Sequence, residues 1–215
     1  MVNLMTVDFV AELTAARMLA IIRGTDTGAA VAAGRTLLAS GVRIVEVALT
    51  TPGALRAIEA IRSDAPVGSL IGAGTVLTVA DVADVAAAGA QFVVTPAVVD
   101  SIPEAARRGL PVAAGALTPT EAHTAVGLGA SVVKLFPASL GGPAYLKALR
   151  DPFPDVPFVA VGGVGLDHLR AYLDAGAIAV GVGGPLVGDA ASGGSLEDLR
   201  ARAQAYVAAA QRRQA

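Results

Sequence analysis

The sequence predicts a closed parallel (β/α)8 barrel, a TIM barrel, with one extra helix at its N-terminus. Three observations lead there. Short β-rich apolar runs alternate with Ala-rich, helix-like segments from end to end, the pattern of βα units on a parallel sheet. Eight such runs can be marked: Met18–Ile22, Ile44–Ala48, Leu70–Ala73, Phe92–Thr95, Val112–Ala114, Val132–Phe136, Phe158–Val161 and Ile178–Val182. The chain also resembles itself in quarters. The segments GVRIVEVALTTP, GAQFVVTP, GASVVKLFP and GAIAVGVGGP each read Gly, strand, Pro, and the strands between them, LIGAGT, VAAGAL and FVAVGGV, end in small residues. Four copies of a (βα)2 unit make eight strands, the sequence form of a closed barrel.

An open doubly wound sheet is the alternative. It would usually carry a Gly-rich loop after its first strand. Here Arg23-Gly24-Thr25-Asp26 follows Ile22, with no G-x-G-x-x-G.

The helix boundaries are marked in the sequence. Thr51-Pro52 and Thr118-Pro119 read as an N-cap followed by proline at the first helical position. Thr78 with Asp81 and Thr118 with Glu121 have capping-box spacing. Gly41, Gly89, Gly129 and Gly176 each stand between a helix and the next strand, as C-terminal glycines do. Met1–Arg17 precedes the first strand and is expected to form the extra helix, closing the bottom of the barrel. The 215 residues suit one barrel domain spanning 1–215, although length alone also permits two small domains.

Composition narrows the function classes. Apolar residues make up 54% and charged residues 16%, and the formal net charge is −2 without a run of like charges. That argues against nucleic-acid or membrane-surface binding, while backbone amides could still hold a small anion. The absence of cysteine excludes disulfides, thiolate zinc sites and cysteine nucleophiles. Neither a signal-peptide pattern nor an apolar run of roughly 18 residues is present, so a cytoplasmic protein is expected. His123 and His168 fall in helical segments, and no His/Asp/Glu spacing resembles a metal site. No metal and no cofactor are expected.

Lysine occurs only at Lys134 and Lys147, against fourteen arginines. Lys147 reads as a surface helix residue. Lys134 lies inside the apolar strand Val132–Phe136, where an isolated ammonium is costly. Alternate residues of a barrel strand point inward, and active sites of this fold lie at the C-terminal end of the strands. Desolvation there would lower the lysine pKa and free an amine nucleophile. A core strut paired with a carboxylate is the alternative.

Glu46, inside Ile44–Ala48, is equally out of place. It could exchange protons with a substrate held on Lys134, or merely salt-bridge Lys134 or Arg23. Gly162-Gly163-Val164-Gly165 and Gly181-Val182-Gly183-Gly184 follow or end strands seven and eight, whose loops recurrently hold phosphate in this fold; tight turns also use glycine. Thr75 could bind a carboxylate at the barrel mouth or act as a turn or capping residue. Arg23, just after the first strand, is a candidate for an anionic substrate group.

With these residues in view, the chain resembles the 2-keto-3-deoxy-6-phosphogluconate aldolase family. The likeness runs from about Leu19 to Leu186. It is carried by Ile22-Arg23, Val45-Glu46-Val47, IGAGTVL at Ile71–Leu77, Thr95-Pro96, Lys134-Leu135-Phe136-Pro137 and VGGV at Val161–Val164. The resemblance implies a class I (Schiff-base) aldolase, usually trimeric. It would cleave a 2-keto-3-deoxy-6-phospho sugar acid into pyruvate and glyceraldehyde 3-phosphate. Lys134 would form the imine and Glu46 would be the acid/base. Thr75 and Pro96 would line the pyruvate pocket, Phe136 would pack beside the imine, and Gly162 and Gly163 would hold phosphate.

Two positions depart from the family. Thr50 stands where gluconate-type members have an arginine, and Gly184 where a phosphate-binding serine is usual. Galactonate-type relatives also lack that arginine and share the look of FPASLGGPAYLKAL at Phe136–Leu149. Gluconate, galactonate and unphosphorylated substrates such as 4-hydroxy-2-oxoglutarate therefore all stay open. A phosphosugar isomerase and a non-catalytic sugar-phosphate-binding barrel are the other readings.

Overall fold

The computed structural model describes residues 8–212. In chain order these form α1 (Phe9–Ala16), β1 (Met18–Ile22), α2 (Thr27–Ala39), β2 (Ile44–Ala48), α3 (Ala54–Ser63), β3 (Leu70–Gly74), α4 (Val79–Ala87), β4 (Val93–Val94), α5 (Ser101–Arg107) and β5 (Val112–Ala116). They continue with α6 (Pro119–Gly127), β6 (Val132–Leu135), α7 (Gly142–Arg150), β7 (Phe158–Val161), α8 (Leu166–Asp174), β8 (Ala179–Val182), the short α9 (Gly184–Val187) and α10 (Leu196–Gln211), with 3-10 turns at Ala138–Leu140 and Ala190–Ser192. The strands close into a barrel in sequence order, and β8 pairs in parallel with β1.

Each strand is buried on both faces, because helices cover the outside and side chains fill the inside. The alternation separates two apolar groups. Outward residues such as Ile22, Val45, Val47, Val133 and Leu135 pack under the helices. Inward residues such as Leu19, Ile21, Ile44, Leu70, Phe92, Val132 and Ala179 fill the barrel. Glu46 lies two residues after Ile44, and Lys134 two after Val132, so both take the inward parity.

The N-terminal helix closes the barrel bottom as expected. The described part is α1, and the first seven residues of the expected Met1–Arg17 segment lie outside the described residues. Asp8 caps it by accepting from the Ala11 amide at 3.0 Å. Leu13 is fully buried, and the Phe9 ring stacks on Phe92 with centroids 4.7 Å apart. This plug fills the lower lumen with apolar side chains.

Thr78 and Thr118 form complete capping boxes with Asp81 and Glu121. Gly41, Gly89, Gly129 and Gly176 all have positive φ, which explains the recurrent glycine in the repeat. One expected boundary is wrong. Thr51-Pro52 does not start α3, whose N-cap is Gly53. Thr51 is buried, and its hydroxyl accepts from the Gly24 amide at 3.2 Å. It ties the β1–α2 and β2–α3 loops together instead.

Strand ends also shift. β4 is shorter than Phe92–Thr95, although its flanks still pair: Ala73 donates to the Phe92 carbonyl, and Thr95 to that of Ala113. β5 runs two residues past Ala114, β3 one past Ala73, and β8 begins one after Ile178. β6 ends before Phe136, whose amide still reaches the Ala116 carbonyl at 3.0 Å; Pro137 then has no amide to continue the ladder.

Candidate functional site

A cavity of about 380 Å³ opens at the C-terminal ends of the strands. Small residues at the top of the barrel leave this space. Gly181 and Gly183 line the cavity, and Gly72, lower down, makes room for the Phe92 ring, which a Cβ there would meet at 2.6 Å. Every residue singled out from the sequence as catalytic or substrate-binding borders this one cavity. Arg23 comes from the end of β1, Glu46 from β2, Thr75 and Pro96 from the loops after β3 and β4, and Lys134 and Phe136 from β6 and its continuation. Gly162 and Gly163 follow β7, and Gly183 and Gly184 follow β8.

Lys134 is 7% exposed and Glu46 1%. Burial lowers the lysine pKa, and the nearby Arg23 adds to that effect, while the Glu46 charge opposes it. Burial likewise raises the Glu46 pKa, against the opposing charges of Lys134 and Arg23. Each environment favours the neutral form, which gives an amine able to attack and a carboxyl able to give or take a proton. The Lys134 Nζ lies 4.9 Å from the centroid of the Phe136 ring.

Glu46 is not held as a strut. Among the described residues no ion pair joins it to Lys134 or Arg23. Its Oε2 is buried without a hydrogen-bond partner. A buried carboxylate oxygen left unmatched is costly, and at a cavity wall it marks a place for a substrate or water to bind. The other oxygen lies over the backbone of β3, in the space a side chain would fill at Gly74. A Cβ there would stand 1.7 Å from Oε1.

Thr75 is not the cap of the following helix. Thr78 caps α4, while Thr75 sits in the cavity wall with φ +59. The left-handed region costs a β-branched residue about 1–2 kcal/mol. Thr50 is exposed and faces a separate groove with Arg56, Asp81 and Asp84. Gly184 borders open space, with nothing within 4 Å of a Cβ built there.

Several cavity residues escaped the sequence reading, among them Ile21, Val187 and Gly188. Ile21 could have been found from parity, since it precedes Arg23 by two and pairs in register with Glu46. Gly188 carries no sequence pattern that would have revealed it. Elsewhere His123, His168 and Lys147 are exposed, and His168 meets only Asp167 among the ion pairs. Among the described residues no group of three or more His, Asp or Glu could hold a metal.

Comparison with known proteins gives one answer. The family model for KDPG and KHG aldolases matches residues 9–198. A probable 2-dehydro-3-deoxy-6-phosphogalactonate aldolase of Rhizobium meliloti (strain 1021) is 39% identical over 89% of this chain and 90% of its own. The 2-dehydro-3-deoxy-6-phosphogalactonate aldolase of Escherichia coli (strain K12) is 38% identical over 89% of this chain and 93% of its own. The native KDPGal structure superposes with a TM-score of 0.84 at 37% identity, covering 89% of this chain and 93% of its own. Strand order, cavity position and these matches agree: the chain belongs to the KDPG and KHG aldolase family.

Proposed function

We propose that this aldolase cleaves a 2-keto-3-deoxy-6-phospho sugar acid, gluconate or galactonate type, to pyruvate and glyceraldehyde 3-phosphate through an imine on Lys134. The observation that carries the proposal is the pairing of a buried lysine with a buried carboxyl whose Oε2 has no partner, in one cavity. The neutral Lys134 amine attacks the C2 carbonyl to give a carbinolamine. Glu46 supplies the proton with which the hydroxyl leaves as water. As carboxylate it then takes the proton of the C4 hydroxyl. The C3–C4 bond breaks, its electron pair forms the enamine, and the aldehyde departs. Glu46 returns a proton to C3, and water releases pyruvate and the free amine. One carboxyl cycling between two states serves each step.

Arg23 and Thr75 are suited to the substrate's anionic and polar groups. Thr50 takes no part, being outside the cavity. The glycines after β7 and β8 offer backbone amides to the phosphate. The open space at Gly184 favours a second reading, an unphosphorylated substrate such as 4-hydroxy-2-oxoglutarate. Comparison of kcat/KM for the two substrate types separates them. The protein is expected to act in the cytoplasm as a homotrimer, like the family it belongs to; among the described residues no helix is long and apolar enough to cross a membrane. Light scattering of the purified chain tests the trimer.

The direct test of mechanism is intact-mass analysis after incubation with pyruvate and borohydride, followed by peptide mapping, with Lys134→Ala as control. A reduced pyruvate adduct on Lys134 is expected. A folded protein that gives no adduct, under conditions that label another class I aldolase, would sink the imine mechanism and favour an isomerase or a binding barrel.

A further inference from the structure

The segment after β8 has two sides. Its near side is cavity wall, made by Gly183, Gly184, Pro185, Val187 and Gly188. Its far side is held by α10. Arg202 donates from Nε to the Leu186 carbonyl at 2.7 Å and from Nη2 to the Val187 carbonyl at 3.1 Å. Gly188 packs against the same guanidinium, so closely that a Cβ there would come within 2.7 Å of Nη2.

The carbonyls that Arg202 engages end α9, where a helix leaves its last acceptors without intrahelical partners. A helix of four residues is too short to hold itself together. Its shape therefore depends on outside partners. A guanidinium can meet two carbonyls at once with its planar fork, whereas a lysine ammonium would act as a point charge. The same stretch continues into Ala190–Ser192, where the Ser192 hydroxyl accepts from the Thr25 amide at 3.2 Å. The Ala191 carbonyl lies where a Gly24 side chain would be. The wall after β8 is thus joined to the loop that follows Arg23.

We infer that Arg202 is a positioning residue for the phosphate-binding wall: it fixes Gly183–Gly188 from behind, through the Leu186 and Val187 carbonyls, without touching the substrate. This rests on the phosphate reading above. Lys134 and Glu46 stand on other strands, so losing Arg202 disturbs the phosphate end of the substrate and leaves imine formation intact.

The test is steady-state cleavage by the full chain, wild type, Arg202→Gln and Arg202→Lys. Substrates are the 6-phosphorylated 2-keto-3-deoxy acid and its unphosphorylated counterpart, and the rate of pyruvate trapping by borohydride and the melting temperature are read alongside. For Arg202→Gln, KM for the phosphorylated substrate should rise about tenfold, the scale of a lost charge-assisted hydrogen-bond pair. Pyruvate trapping and kinetics on the unphosphorylated substrate should stay within about twofold, and Arg202→Lys should recover part of the loss. An unchanged KM in a folded variant overturns the inference. So does an equal loss with both substrates and in trapping, which would mean Arg202 only supports the fold. If Arg202→Gln does not fold, Arg202→Lys decides by the same criterion. A wild type without preference for the phosphorylated substrate overturns the phosphate reading itself, a failure visible before any variant is compared.

Discussion

Adding one methyl group at Gly74 should disable Glu46 without removing it. A Cβ at position 74 would lie 1.7 Å from Oε1, 2.4 Å from Cδ and 2.7 Å from Cγ of Glu46. Ordinary contact needs about 3.5 Å, so the carboxyl would have to retreat by roughly 1.5 Å or more. A misplacement of about 1 Å can cost about 100-fold in rate, or about 2.7 kcal/mol of barrier. Complete loss of an acid/base group costs about 100- to 10,000-fold, which sets the ceiling. Gly74→Ala should therefore lower kcat by about 100-fold and leave KM for the phosphorylated substrate near wild type, since the phosphate-facing loops follow β7 and β8. The assay couples pyruvate release to lactate dehydrogenase, with circular dichroism as the check on folding. Gly127→Ala, in α6 away from the cavity and with nothing within 4 Å of its Cβ, is the steric control. A folded Gly74→Ala enzyme with kcat within about threefold of wild type would mean that Glu46 needs no such cradle, and the reasoning from close approach would fail.

Three further outcomes are expected. Gly184→Ser places a hydroxyl in open space on the cavity wall. A hydrogen bond to a charged group contributes about 1.5 kcal/mol at the low end, so KM for a phosphorylated substrate should fall about tenfold with no change for an unphosphorylated one, as steady-state kinetics will read. Lys134→Met should abolish cleavage and pyruvate trapping, yet stabilise the fold by about 1 kcal/mol at acidic pH, because a desolvated cation is replaced by an apolar chain beside a carboxyl whose pKa burial raises. Without the Lys134 charge the Glu46 pKa rises further. A raised folded-state pKa gives stabilisation that is present below the unfolded value and lost as pH rises through the folded one. The melting-temperature advantage of the variant should accordingly shrink as pH rises. Thr118→Ala removes the capping box of α6 and should cost about 1 kcal/mol, a drop of about 2–4 °C in a thermal melt, with activity unchanged.

The sequence alone carried the repeating information. Strand and helix alternate with fixed periods, so the eight βα units and the helix-ending glycines could be read directly, and Thr78 and Thr118 marked two helix starts because a cap is a local interaction. The cost of burying an isolated ammonium, with alternate residues pointing inward, was enough to put Lys134 inside a barrel once eight parallel strands were recognised. Thr51 was misread for the same reason: its Thr-Pro pattern is local, but its partner, the Gly24 amide, belongs to another loop. Only the folded chain decided that Thr50 faces away from the cavity, that Glu46 Oε2 has no partner, that Gly74 makes room for Oε1, and that Arg202 grips the Leu186 and Val187 carbonyls. Each of those facts joins segments far apart in sequence. No period or local preference encodes which side chain fills a given gap; that follows from the packing of whole elements against one another.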